Sequence, residues 1–408
     1  MSLDDLQLHR AAAPLARRPR SSAGPLRVAL FTGNYNYTRD GATQALHRLV
    51  RHVESIPGAA VRIYAPTSRT PAFDSDRHVV SAPSVGIPGR SEYRFALGLP
   101  RRVREDVRRF SPDIFHLATP DLLNIQAMGL AREFGAPVVS SLHTRFETYF
   151  DYYGLGWLKP LAEQRLRAFY QGCDYVLAPT VEIAGRLEAD GMRGRTRLWS
   201  RGVDRDLFDP ARRDMAWRRA QGFGDDDLVI AFFGRVVLEK GLALFADVID
   251  QASRANPRIR ALVIGDGPAR PWMAKRLPGA VFTGFLSGGV LARAVASADV
   301  LLNPSTTEAF GNVTLEAMAA GLAVVCADAA SHRALVRAGL TGLVCPAGDV
   351  DAYAAAIVEL ATRPERRLMM GWAGRDASAA YSWAAALDSV LEVYREALAV
   401  ARPLGRAA

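Results

Sequence analysis

The chain has 408 residues, 49% hydrophobic and 23% charged, the composition of a folded protein with room for two ordinary cores. No apolar run reaches the roughly 20 residues of a membrane-spanning helix, and Cys173, Cys326 and Cys345 are too scattered for a metal cage or a disulfide framework. The net charge of +9 is lopsided: residues 1–204 hold 28 Lys+Arg against 20 Asp+Glu and the remainder 23 against 22, so the two halves are expected to meet different partners.

Residues 1–25 lack the apolar centre of a signal peptide and read as a disordered basic tail. An α/β unit is expected over 26–204, with strands at Leu26–Thr32, Ala60–Ala65, Asp113–Leu117, Pro137–Leu142 and Asp174–Pro179. The first strand runs into a turn and then a helix through Gln44–His52. Between the second and third strands, Pro100–Phe110 carries five arginines, with Val103, Val107 and Phe110 on one helical face. For that segment alone, a sheet-covering helix with a solvated outer face is the better account. His143 closes the fourth strand, and a histidine at a strand's C-terminal end points toward a cleft, able to donate and to accept. The densest aromatic stretch, Phe146 to Trp157 with Lys159 beside it, follows at once. Aromatics beside basic residues suit a water–lipid interface, and with the lopsided charge they favour docking on anionic lipid. Nucleic acid ranks low, because no nucleic-acid-binding motif accompanies the charge.

A second α/β unit is expected over 205–383, with strands at Leu228–Phe233, Arg260–Gly265, Ala280–Thr283, Asp299–Asn303 and Ala323–Ala327. Strands apolar along most of their length and separated by helices indicate parallel sheets covered on both faces. Two such units in tandem place ligands at the C-terminal strand ends, in the cleft between them. After the first of these strands, Arg235 and Lys240 lie five apart on a turn leading into a helix. Both can reach a diphosphate, the arginine by a fork and the lysine as a point charge, and neutralise it as it leaves. Gly265-Asp266-Gly267-Pro268 lacks the third glycine of a dinucleotide fingerprint, which argues against a dehydrogenase. The pairs Asp74/Asp76, Asp204/Asp206 and Asp349/Asp351 sit in charged, loop-like contexts and read as solvated turns, so no metal is expected.

The segment Ser305 to Gly321 is the most informative. Strand, turn and helix N-terminus make an anion site. A glutamate on the turn, Glu308, can hold sugar hydroxyls, and one inside the helix, Glu316, can hold a ribose.

Taken in order, Gly41-Ala42, Ser140-Ser141-Leu142-His143-Thr144, Arg201-Gly202-Val203-Asp204, Gly234 to Gly241, Gly265 to Pro268 and the E-x-F-G-x-x-x-x-E run from Glu308 to Glu316 closely resemble the motifs of retaining glycosyltransferases of family 4. The resemblance covers roughly residues 26–398. It implies the GT-B fold, two Rossmann-like domains with parallel sheets facing a central cleft, and a C-terminal helix, 384–408 with its tail, that crosses back to the first domain. It also implies that Gly41 and Ala42 meet the donor phosphate with their amides; most members have two glycines there, so Ala42 is a departure. His143 would contact the transferred sugar, Arg235 and Lys240 hold the diphosphate, and Glu308 orient the sugar hydroxyls. Amides of Phe310, Gly311 and Asn312 would assist and Glu316 bind the ribose, while the loop of Gly265 and Gly267 adjoins the nucleotide and Phe285 and Leu286 line the base. The implied activity is metal-independent transfer, with retention, of a hexose or hexuronic acid from a UDP- or GDP-sugar, as in bacterial GDP-mannose-dependent α-mannosyltransferases and lipid glycosyltransferases. The acceptor expected is a membrane lipid, reached by a cytoplasmic protein peripherally bound to the inner face of the plasma membrane. The alternatives are a soluble or polysaccharide acceptor and, from another class, a nucleotide-sugar epimerase of the same fold. A non-catalytic sugar- or lipid-binding module is disfavoured because every donor motif is intact.

Overall fold

The computed structural model describes residues 25–36, 40–68, 79–87, 90–143 and 156–400. In the first half, strands β1 (Arg27–Phe31), β2 (Ala60–Pro66), β3 (Val79–Ala82), β6 (Ile114–Leu117), β7 (Val138–Ser141), β8 (Tyr175–Ala178) and β9 (Thr196–Leu198) form one sheet in the order β3-β2-β1-β6-β7-β8-β9. Every pairing in it is parallel. A hairpin of β4 (Ser84–Ile87) and β5 (Arg90–Ala96) stands apart. The helices are α1 (Gly41–Glu54), α2 (Arg101–Phe110), α3 (Leu122–Phe134), α4 (Lys159–Gln171) and α5 (Val181–Leu187).

The second half repeats the plan. Strands β10 (Leu228–Phe233), β11 (Ile259–Ile264), β12 (Val281–Gly284), β13 (Val300–Asn303), β14 (Ala323–Ala327) and β15 (Gly342–Cys345) run parallel in the order β12-β11-β10-β13-β14-β15. Around them lie α6 (Met215–Ala220), α7 (Leu242–Ala255), α8 (Arg270–Arg276), α9 (Gly288–Ala296), α10 (Asn312–Ala319), α11 (Ala330–Leu335), α12 (Val350–Thr362), α13 (Pro364–Ser378) and α14 (Trp383–Val400).

The alternation of side chains explains why these strands read as continuous apolar runs. Leu228, Ile230 and Phe232 enter one core, while Val229 and Ala231 enter the core on the other face of the sheet. Both faces need apolar cover because helices pack on both. The first sheet divides in the same way, Ala29 and Phe31 to one face and Val28 and Leu30 to the other. This is the two-domain α/β architecture expected. The expected strands are present with ends shifted by a residue or so, and β3, β4, β5, β9 and β15 are additional. Three of these are sheet-edge strands of three or four residues and two form the hairpin; such strands bury less, so their sequences keep polar residues that hide the pattern.

The chain passes between domains twice, side by side. On the way out, Trp199 is buried in the first domain and Val203 in the second, where the Val203 amide donates to Tyr381 O at 3.0 Å. A side chain at Gly202 would strike the backbone of Trp383, so the two passages touch there. On the way back, α14 lays Leu387, Val390 and Tyr394 onto the first domain's core beside Leu46, Leu49 and Val53 of α1.

Candidate active site

In each sheet the winding direction reverses between two central strands, β1/β6 and β10/β13. A crevice opens outside the C-terminal ends of the strands at such points. The loops after β10 and β11 are built for close packing. Gly265 has φ 141°, and a side chain there would collide with the carbonyl of Gly234; one at Gly267 would collide with the carbonyl of Val236. Val236 N donates to Asp266 O at 3.0 Å and Ala269 N to Val236 O at 3.1 Å. The room these two glycines leave is therefore filled by the neighbouring loop, which fixes the turn that carries Arg235 and Lys240. Gly241, at φ 74°, turns that loop into α7.

Lys240 Nζ donates to Glu308 Oε1 at 2.8 Å, joining the turn after β10 to the turn after β13. A second tie is the Thr307 hydroxyl on Glu239 O at 3.1 Å. Burial would raise the Glu308 carboxyl, but the charge and hydrogen bond of Lys240, with a contribution from His332, outweigh it and hold Glu308 below the usual glutamate value. Gly311, at φ 99°, begins α10 with no side-chain cap, so the first-turn amides face the crevice uncapped. Asn303 braces this turn, its amide donating to Thr314 Oγ1 at 3.1 Å and its oxygen accepting from Ser305 N at 3.2 Å. Phe310 is buried against Tyr381, leaving its backbone for the crevice. One turn further along α10, Glu316 faces Arg48 of α1; burial pushes its carboxyl up to about 8, with Arg48 opposing. Phe285 is exposed at the end of β12, and Leu286 is half-buried against the core.

From the first domain, α1 approaches α10 so closely that a side chain at Gly41 would collide with the Asn312 amide. Gly41 and Ala42, half-buried, open α1, but that helix end already holds a carboxylate: Asp40 accepts from Thr43 N at 2.7 Å, and Asn34 donates to Asp40 at 3.3 Å. Buried side-chain oxygens of Asn36 and Asn312 have no hydrogen-bond partner among the described residues. His143 stands at the end of β7, half-buried, with both ring nitrogens engaged inside the protein, by Ser141 Oγ at 2.7 Å and Arg201 at 2.8 Å.

Family comparison adds the deciding observation. Residues 227–363 match the model of "Glycosyl transferases group 1" and residues 39–207 that of "Glycosyltransferase Family 4". A GDP-mannose-dependent alpha-mannosyltransferase of Mycolicibacterium smegmatis is 32% identical over 91% of this chain and 98% of its own length. The chain belongs to glycosyltransferase family 4. Among this enzyme's other relatives, the sulfoquinovosyl transferase SQD2 of Arabidopsis thaliana is 32% identical over 91% of the chain and 74% of its own length. A phosphatidyl-myo-inositol mannosyltransferase of Mycobacterium tuberculosis is 27% identical over 88% and 94%. The structure of Anabaena HepE in complex with UDP and glucose superposes with a TM-score of 0.72 at 18% identity, covering 91% of this chain and all of that one. The family-4 enzyme thus has the GT-B fold and is a glycosyltransferase.

The crevice of this glycosyltransferase brings the start of α1 at Gly41 and the turn of Lys240 to the segment of Glu308, Asn312 and Glu316, and Arg235 lies on the same turn as Lys240. Sequence reasoning missed Arg48, Arg201, His116 and His332. His332 is fully buried; it donates from Nδ1 to Ala327 O at 3.0 Å, and its Nε2 has no partner among the described residues. Asp204 and Asp349 accept backbone amides, from Leu207 at 2.9 Å and Ala352 at 3.0 Å; Asp74 and Asp76 lie outside the described residues.

The arginine-rich helix α2 buries Val103, Val107 and Phe110 against the sheet. Of its five arginines, Arg101 pairs with Glu105, Arg108 with Glu133 and Arg109 with Asp106. Arg102 and Arg104 donate to carbonyls of Ser81 and Leu99. Beside them lie exposed Phe95 and Leu97, and Gln126 of α3, accepting from Leu99 N at 2.6 Å, brings exposed Leu122 and Ile125 alongside. The aromatic run from 146 to 155 lies outside the described residues; Trp157 is exposed. No helix among the described residues is long and apolar enough to cross a membrane.

Proposed function

We propose that this enzyme transfers a hexose or hexuronic acid, with retention and without a metal ion, from a UDP- or GDP-sugar to a membrane lipid. The observation that carries this reading is the Lys240–Glu308 bridge beside the uncapped start of α10. It sets a cation for the diphosphate next to a carboxylate for sugar hydroxyls, at the switch point of the nucleotide-binding sheet. Arg235, Lys240 and the α10 amides of Gly311 and Asn312 neutralise the leaving diphosphate, which is the service a metal gives elsewhere. The acceptor hydroxyl attacks the anomeric carbon from the face the diphosphate leaves. As the bond from that carbon to the phosphate oxygen breaks, the same oxygen takes the acceptor's proton. Glu316 holds the ribose, and His143 borders the sugar.

A lipid acceptor is supported by Phe95, Leu97, Leu122 and Ile125, exposed beside Arg102 and Arg104, an apolar patch with a cationic rim suited to an anionic leaflet. A relative named for phosphatidyl-myo-inositol points the same way. The test is release of nucleoside diphosphate from a panel of UDP- and GDP-sugars, with and without lipid vesicles, in chelator. Release that requires vesicles and survives chelator is expected. Release or epimerisation without any acceptor overturns the transferase-to-lipid reading, and strict dependence on added magnesium or manganese overturns the metal-free one.

A further inference from the structure

Arg201 is a buried cation with no carboxylate beside it among the described residues. Its guanidinium donates to the carbonyls of Trp199 at 2.9 Å and Ser200 at 3.1 Å, stacks over the Trp199 ring at 4.9 Å, and donates to His143 Nδ1 at 2.8 Å. Such a charge is costly to bury, and the groups it meets are two carbonyls and one imidazole nitrogen.

The bond to His143 has a fixed direction, because a guanidinium has no acceptor and stays protonated. His143 Nδ1 therefore accepts, and in the neutral ring Nε2 carries the proton and donates to Ser141 Oγ at 2.7 Å. The other partner of that hydroxyl is His116 Nε2 at 2.8 Å, so Ser141 donates onward and His116 Nε2 accepts. His116 Nδ1 then carries its ring's proton and donates to Tyr394 Oη at 2.6 Å. One donor at one end sets every proton along the line. Arg201 belongs to the outgoing interdomain passage and Tyr394 to the returning helix α14, so the line from His143 through Ser141 to His116 is held by one passage at each end.

We propose that Arg201 is a positioning residue for His143, locking its ring neutral, protonated on Nε2 and turned away from free rotation, through a hydrogen-bonded line that ties both interdomain passages to the cleft. The groups that face His143 are Arg201 from the linker, His116 from β6 with Tyr394 of α14 behind it, and the Trp199 ring edge-on at 5.0 Å. Burial first, and then the Arg201 charge, with the neighbouring His116 ring adding to it, keep the imidazole well below the usual histidine value. With Nδ1 accepting from the guanidinium, the ring is neutral in this arrangement. The catalytic consequence rests on His143 bordering the transferred sugar; the tautomer does not.

The test is the tautomer of His143, read from imidazole nitrogen NMR shifts on the full chain at pH 5 to 8, together with turnover of whichever nucleotide sugar the donor panel identifies. Wild type should show Nε2 protonated, Nδ1 bare and no titration over that range. Arg201→Met should lose the single tautomer and move the titration midpoint up, with kcat lowered about tenfold at pH 6 and KM for the donor nearly unchanged. Arg201→Lys, which keeps a donor, should restore most of both. Tyr394→Phe should leave the His143 tautomer as in wild type, because the direction is set at the Arg201 end. A wild-type His143 protonated on Nδ1, or an Arg201→Met variant with an unchanged tautomer, overturns the proposal; the wild-type measurement decides even if Arg201→Met does not fold. Normal turnover in His143→Ala would instead sink the reading of His143 as a sugar contact and leave the tautomer result standing.

Discussion

Lys240 and Glu308 satisfy each other, so each is at once a structural group and a site group. Removing only Lys240 leaves a largely buried carboxylate without its cation, which costs more than the bridge is worth. Lys240→Met should therefore lower stability by roughly 1–3 kcal/mol at pH 7 and turnover by about 10²–10³. The double variant Lys240→Met/Glu308→Gln should regain most of the stability and none of the turnover; urea melts and steady-state rates on the four proteins of the cycle separate the two roles. Glu316 gives a different signature. Its folded-state value of about 8 exceeds the unfolded one near 4.5, so the native state binds the extra proton between those values and stability falls as pH rises through that window. Glu316→Gln removes this loss. Its melting temperature relative to wild type should climb steadily from pH 5 to pH 8 while its affinity for nucleoside diphosphate drops, and a pH-independent difference would contradict the assignment.

At the scale of elements, the site is held by loops pressed together where only glycine fits. Gly265→Ala combines a backbone at φ 141° with a methyl driven into the Gly234 carbonyl, and should destabilise by about 2 kcal/mol or more in a denaturant melt. What could be read from the sequence follows the same division between buried and edge elements. β10 and β14 were legible because two covered faces demand apolar residues at nearly every position. β3, β9 and β15 were not, since an edge strand pairs on one side and tolerates Ser81, Arg197 or Gly342. The two glutamates were legible through local spacing on one turn and one helix. The bond from Arg201 to His143 was not, because the residues lie 58 positions apart and meet only where the linker folds back beside β7. Lys240 was read as a phosphate ligand, yet spacing carried no sign that it would reach Glu308 across 68 positions.

The whole molecule is two doubly wound domains joined by paired passages and meeting across a cleft where Gly41 nearly touches Asn312. The exposed ion pair between Arg333 and Glu182, at 3.2 Å, also spans the cleft and adds little in water. Docking belongs to this scale. Three arginines of α2 are already paired, so Arg102 and Arg104, with Phe95, Leu97 and Ile125, are the groups expected to meet an anionic leaflet. Arg102→Glu/Arg104→Glu should cut co-sedimentation with anionic vesicles at least about tenfold at low salt, at roughly 1 kcal/mol per basic residue, and spare nucleotide binding. Wild-type binding should itself fade as salt shortens the Debye length from about 10 Å at 0.1 M to about 3 Å at 1 M. The most direct test of the account is transfer of labelled sugar, from each of a set of UDP- and GDP-sugars, into chloroform-extractable product with anionic lipid vesicles as acceptor and chelator present. The account predicts labelled lipid from at least one donor, lost in Lys240→Met/Glu308→Gln; label that stays in the aqueous phase with every donor, while a soluble saccharide accepts it, would contradict the account.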